Sequence, residues 1–109
     1  MQEQASTWTF LSNHGHVLIC LARDTEARIR DIAAQVEITE RAVQRILQDL
    51  EAEKVIRRHK KGRRNVYRIN PGARLLHPLE GHKTVADLVI SILGDSAAAL
   101  ASESYVSEK

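Results

Sequence analysis

The stretch from Arg28 to Leu50, RIRDIAAQVEITERAVQRILQDL, limits what this chain can fold into more than any other. Ile29, Ile32, Ala33 and Val36 recur at helical spacing, and so do Val43, Ile46, Leu47 and Leu50. Each set gives one amphipathic helix a single apolar stripe. Between the stripes, Glu37-Ile38-Thr39 breaks the period. Thr39 is a good N-cap, and Glu40 puts an acid in the first turn, at the positive end of the helix dipole. Two short helices joined this tightly cross steeply, and Ala33 supplies the small side chain that such a crossing needs. Ile38 is expected to plug the gap beneath the turn.

From Lys54 to Ile69 the chain reads KVIRRHKKGRRNVYRI. Val55 and Ile56, then Val66, Tyr67 and Ile69, are β-forming, and Lys60-Lys61-Gly62-Arg63 between them reads as a turn whose glycine takes the left-handed step. The segment holds eight Lys or Arg and no acid. Charge on an edge strand normally guards against aggregation. Eight cations of one sign exceed that need and repel one another, so they point to a polyanionic partner such as a phosphate backbone.

Helix, turn, helix and basic hairpin, in that order, resemble the winged helix-turn-helix of MarR-type and related transcriptional regulators over roughly residues 13–70. The segment ITERAVQRILQDLEAEKVIRRHKKGRRNVYRI carries the likeness best. One position departs: Glu37 stands where such turns usually have glycine, and a left-handed glutamate there costs on the order of 1 kcal/mol. The resemblance implies a mainly α fold with a small β-sheet, a winged helix-turn-helix with an added C-terminal helix. It also implies double-stranded DNA as partner and a homodimer as the working unit.

With the apolar stripe turned inward, Arg41, Gln44, Arg45 and Gln48 line the opposite face of the second helix at i, i+3, i+4 and i+7. Arginine pairs with guanine edges and glutamine with adenine, so this face has the chemistry to read bases in a major groove; it would also serve as an ordinary solvated surface. Arg28 and Arg30 at the start of the first helix, Thr39 at the start of the second, and Lys60, Lys61, Arg63 and Arg64 at the wing tip are expected on the DNA backbone or in an adjacent minor groove. Glu40 is expected to orient Arg41 or meet a cytosine amine, and Asn65 to serve only the turn.

The chain's 109 residues fit one domain, 1–109. At 43% apolar and 28% charged residues, the composition is that of a globular protein. The net charge of +2 hides an asymmetry: residues 28–69 hold twelve cations and six acids, a balance of +6, against −4 for the remainder. No apolar run approaches the roughly eighteen residues of a membrane span, and no signal peptide is expected. The single cysteine, Cys20, excludes an internal disulfide and fits a reducing cytoplasm. Between Ile19 and Leu21 it reads as a small core residue rather than a redox thiol.

Around the motif, residues 1–6 are polar and expected to fray. Thr7 to Leu11 fits a strand, with Trp8 and Phe10 alternating, or a helix, with Trp8 and Leu11 on one face. Ser12 or Asn13 caps a helix from about His14 to Arg23 with Val17, Leu18, Leu21 and Ala22 inward. Asp24 to Glu26 ends that helix, and Ala27 to Ile29 is expected to give a short third strand beside the wing. Asn70-Pro71-Gly72 turns the chain into an extended arm holding Leu75, Leu76, Pro78 and Leu79. Thr84 then caps a helix whose Val85, Leu88, Val89 and Ile92 form one stripe, closed by Gly94. Arm and helix span about 75–94, with a mobile tail after about 97. The stripe is either a further layer on the monomer or a dimer seam; we expect the seam.

Other classes fare worse. No paired carboxylates, Gly-rich phosphate loop or nucleophile motif marks an enzyme. His14, His16, His59, His77, His82 and Cys20 are possible ligands for a metal-responsive repressor of the same fold, but none has structural-zinc spacing, so no metal or cofactor is expected. A winged-helix protein–protein adaptor is the remaining alternative, and it would have little use for a basic tip and a polar helix face. Room for a small-molecule effector falls between the first and last helices, with no residue specifying a ligand.

Overall fold

Ser12 starts the first helix: its hydroxyl oxygen accepts a hydrogen bond from the Gly15 amide at 3.3 Å, and α1 runs Asn13–Arg23. The computed structural model describes residues 7–94 of the chain. After α1 come α2 (Ile29–Val36), α3 (Glu40–Ala52), β1 (Ile56–Lys61), β2 (Arg64–Ile69) and α4 (Val85–Leu93). The expected frayed residues 1–6 and the tail after about 97 lie outside the described residues.

The turn between α2 and α3 forms without glycine. Glu37 adopts φ 68° and ψ 46°, the left-handed conformation, and the Glu37 and Ile38 amides both donate to the Ala33 carbonyl, at 2.8 and 3.1 Å. This Schellman-type close satisfies an end carbonyl of α2 and lets half-buried Ile38 pack against the core. Thr39 then caps α3, its hydroxyl accepting from the Ala42 amide at 3.0 Å. The far end of α3 closes alike. Lys54 takes φ 63°, and the Val55 amide reaches back to the Leu50 carbonyl at 2.9 Å. Nothing in the spacing marks Lys54 for that role.

Val17, Leu21, Ile32, Val43, Ile56, Val85 and Val89 are fully buried in one apolar cluster joining α1, α2, α3, the base of the wing and α4. Burying each such side chain contributes about 1.5–3 kcal/mol. Among the described residues no polar or charged side chain is buried.

The wing is a two-stranded antiparallel sheet in which Ile56 pairs with Ile69 and Lys61 with Arg64. Gly62 and Arg63 form its turn, with positive φ at Gly62 (67°) and not at Arg63, the type II′ pattern that suits strand twist. Strand alternation sorts the side chains. Ile56, Arg58, Lys60, Asn65, Tyr67 and Ile69 share one face; Arg57, His59, Lys61, Arg64, Val66 and Arg68 share the other.

Four expectations need correcting. Ala27 to Ile29 is not a strand: Arg28 is the N-cap of α2, and helix begins at Ile29. The reason is local. Asp24 accepts the Glu26 amide on its side chain at 3.0 Å and the Ala27 amide on its carbonyl at 3.1 Å, which turns the chain directly into α2. One backbone bond to the wing survives, from the Tyr67 amide to the Thr25 carbonyl at 3.2 Å. Thr7 to Leu11 is neither strand nor helix. The arm after the wing is no extended strap. Arg74 and Thr84 bridge, the Leu75 amide bonds the Lys83 carbonyl at 3.0 Å, and the Val85 amide bonds the Ala73 carbonyl at 2.8 Å, so residues 74–84 form a closed loop.

The fourth correction concerns α4. Its ends are as expected: Thr84 and Asp87 form a reciprocal capping box, and Gly94 closes the helix with φ 56°. The capping bonds from Thr84 hold the Asp87 carboxyl below its ordinary value. Val85 and Val89, however, are spent on the monomer's own core, Val89 being 0% exposed. Leu88 is half-buried, and only Ile92 of the four stays open, at 47%. Ile90, off the stripe, is 52% exposed. Most of the expected seam is therefore intramolecular packing. No helix among the described residues is long and apolar enough to cross a membrane.

Candidate nucleic-acid interface

With Val43, Ile46, Leu47 and Leu50 buried beneath it, α3 turns Arg41, Gln44, Arg45 and Gln48 outward, all exposed. They border one shallow depression with Thr39 and Ala42. The cap fixes where this face begins, because the Thr39 side chain is committed to the Ala42 amide. Glu40 forms no ion pair among the described residues, so the expected orientation of Arg41 by Glu40 is not seen.

The helix face continues into the wing. Gln44 and Gln48 share a cleft with Ile29, Glu51, Arg58, Asn65 and Tyr67. A second cleft brings Arg28 beside Arg64, Asn65 and Tyr67. Arg30, exposed two positions further along α2, does not line it. Asn65 thus joins the helix face, the wing and the start of α2, although sequence reasoning assigned it to the turn. A signal was available: Tyr67 had to face the core, and a period of two puts Asn65 on the same side. Arg58, on that side too, lies 3.7 Å from Glu51 of α3.

The tip cations divide. Lys60 and Arg63 are exposed and make no hydrogen bond or ion pair among the described residues. Lys61 and Arg64 instead converge on Glu26, in the connection between α1 and α2. Lys61 Nζ lies 2.6 Å from Glu26 Oε2; Arg64 lies 4.0 Å from Oε1 and also donates to the Glu26 backbone carbonyl. The hydrogen bond and charge of Lys61, aided by Arg64, lower the Glu26 carboxyl below its ordinary value. Glu26 carried no mark in the sequence.

The competing chemistries find less. Among the described residues no three His, Cys, Asp or Glu side chains come together to hold a metal ion. His14 pairs with Asp49 at 2.8 Å on the surface between α1 and α3. Cys20 is buried, its Sγ 3.5 Å from Gln35 Oε1, and burial pushes the thiol up despite the opposing charge of Arg23, which disfavours a reactive thiolate.

Helix, left-handed turn, capped second helix and basic hairpin make this a winged helix-turn-helix. The resemblance to MarR-type winged-helix proteins expected from the sequence holds at the level of fold. Among solved structures the chain is similar to MepR, a transcription regulator of the Staphylococcus aureus multidrug efflux pump MepA, with a TM-score of 0.52 and 23% identity over 89% of this chain. The chain spans 66% of the length of that MepR chain. No protein-family model matches it, and neither does any curated protein.

Proposed function

We propose that this chain is a sequence-specific transcriptional regulator of double-stranded DNA, a cytoplasmic binding protein rather than an enzyme, acting as one domain without a bound cofactor. The observation that carries this reading is the continuous polar and cationic surface from Arg41, Gln44, Arg45 and Gln48 on α3, across Asn65, to the wing and Arg28. In this reading α3 enters a major groove. Its Arg and Gln side chains meet base edges, while Lys60 and Arg63 at the tip and Arg28 at the start of α2 meet backbone phosphates. An adaptor binding another protein would instead need an apolar centre on this surface, and α3 and the wing expose no large hydrophobic side chain.

The regulator works as a homodimer, and its seam lies where the monomer leaves apolar surface uncovered. Phe10 (93% exposed) and Leu76 line one groove beside α1, Ile92 borders another, and Leu11 borders both. Trp8 packs edge-on against Phe10, ring centroids 5.1 Å apart. Leu79 and Ile90 are exposed as well, and a second protein surface would take such apolar side chains out of water.

The test is selection of binding sites from random duplex, followed by titration of the selected and a scrambled duplex at fixed salt. A preference of at least about a thousandfold is expected of a specific regulator. Equal affinity for the two duplexes overturns sequence reading, and no duplex binding at low salt overturns the function altogether.

A further inference from the structure

The carboxylate that binds the wing tip comes from outside the hairpin. Lys61 and Arg64 face each other across the last rung before the turn, on the side of the sheet opposite Asn65 and Tyr67. Both reach Glu26, Lys61 through its ammonium at 2.6 Å and Arg64 through the carboxylate and the backbone carbonyl. Glu26 is itself fixed, because the Asp24 side chain takes its amide at 3.0 Å. The neighbouring Thr25 carbonyl takes the Tyr67 amide at 3.2 Å, the one backbone-to-backbone bond among the described residues from this connection to the wing. Exposed ion pairs contribute little to stability, and Glu26 and Lys61 are both well exposed. The consequence of the cluster is therefore geometric and electrostatic.

We infer that Glu26 positions the wing and divides its cations: Lys61 and Arg64 hold the hairpin to the α1–α2 connection, and Lys60 and Arg63 are left to meet phosphate. The inference rests on the DNA-binding reading above and makes it countable. Each cation that neutralises a phosphate adds about 0.9 to the slope of log affinity against log salt. The wing then contributes through two of its four tip cations, and the other two set its angle against α3. Glu26 touches no DNA in this arrangement; it acts through the residues it holds.

The experiment measures salt slopes on random duplex for wild type, Lys60→Ala/Arg63→Ala, Lys61→Ala/Arg64→Ala, Glu26→Gln, and Glu26→Gln combined with Lys61→Ala/Arg64→Ala. Losing Lys60 and Arg63 should flatten the slope by about 1.8. Losing Lys61 and Arg64 should change it by less than about a third of that. Glu26→Gln should steepen it by about 0.9–1.8 as the two cations come free, and the combined variant should return to the wild-type slope. Equal flattening by the two double variants would mean that Lys61 and Arg64 leave Glu26 for phosphate, which overturns the division. A second readout needs no DNA: the Tyr67 amide should exchange with solvent at least several-fold faster in Glu26→Gln. Unchanged exchange overturns the positioning role, whereas absence of duplex binding by wild type with faster Tyr67 exchange in the variant would overturn the DNA reading alone.

Discussion

The two ends of this molecule treat their surfaces in opposite ways. At the α2, α3 and wing end every large apolar side chain is covered or half-covered, and what remains outside is mostly polar or charged: Arg, Lys and Gln, with the acids Asp31, Glu37, Glu40, Asp49 and Glu53 among them. At the end built from the N-terminal segment, the 74–84 loop and α4, Trp8, Phe10, Leu76, Leu79, Ile90 and Ile92 stay exposed. These six are all the large exposed hydrophobics among the described residues. Water and ions suffice for the first surface. The second is stable in water only at the cost of wetted apolar area, which a further protein surface would remove.

The largest expected effect sets one helix against itself. Val89→Asp puts a carboxylate into the core and should lower stability by roughly 3–5 kcal/mol in chemical denaturation. Ile92→Asp, one turn on but half-exposed, should cost less than about 1 kcal/mol and instead reduce the sedimenting mass from dimer to monomer. If Ile92→Asp unfolds the chain, or leaves the mass unchanged, the contrast between the ends fails. Next come Gln44→Ala and Arg45→Ala at the other end. Each should cost about 1–3 kcal/mol of affinity for the selected duplex while stability stays within about 0.5 kcal/mol. Gln44→Ala should spare binding to the scrambled duplex, which Arg45→Ala weakens by losing a charge. Thermal melting of both variants alongside the titrations separates reading from folding.

Smaller effects sharpen the contrast. Glu37→Gly removes a side chain from a left-handed position and should raise the unfolding free energy by about 1 kcal/mol at most, since the glycine also loosens the unfolded chain. Duplex preference and sedimentation should not change. The smallest effect is acid sensitivity. Glu26 at the wing end and Asp87 at the α4 end both have lowered pKa values. A carboxyl lowered by folding contributes stability in full above its unfolded value and loses it as pH falls through the folded one. Glu26→Gln and Asp87→Asn should therefore each lower the melting temperature slightly near neutrality and make it fall less steeply on acidification, the difference from wild type vanishing once the carboxyl is protonated. A steeper fall in either variant would reverse the sign argued here.

The residues that a periodic pattern can reach were legible beforehand. The stripe of α3, its Thr39 cap, the Gly62 turn and the Thr84-to-Gly94 bounds of α4 each follow from local stereochemistry, and the structure has them; the left-handed Glu37 was raised only by the resemblance, as the position where such turns usually have glycine. Periodicity says which side chains share a face and is silent on what lies against it. That is why Val85 and Val89 were given to a second copy rather than to the core. It is also why Lys61 and Arg64 were grouped with Lys60 and Arg63. Their separation depends on Glu26, thirty-five residues from Lys61 in sequence, and no local rule connects them. The third strand failed for the opposite reason. Asp24 resolves the connection into a tight turn by its own hydrogen bonds, and that local chemistry outweighed the topology borrowed from the resemblance.

Glu37 and Lys54 stand at the two ends of α3, each left-handed and neither glycine. Glycine at such a joint makes a hinge; a side chain there narrows the range of angles the joint can take. The helix is therefore held stiffly at both ends. In the twofold pair on DNA proposed above, stiffness of this kind would become phasing on the double helix. The two reading helices would insert at a fixed separation, about 34 Å or a whole multiple of it. Base changes within a site would then weaken binding step by step. Inserting half a helical turn between the two sites would carry one of them to the far side of the duplex, beyond the reach of an arm that cannot bend.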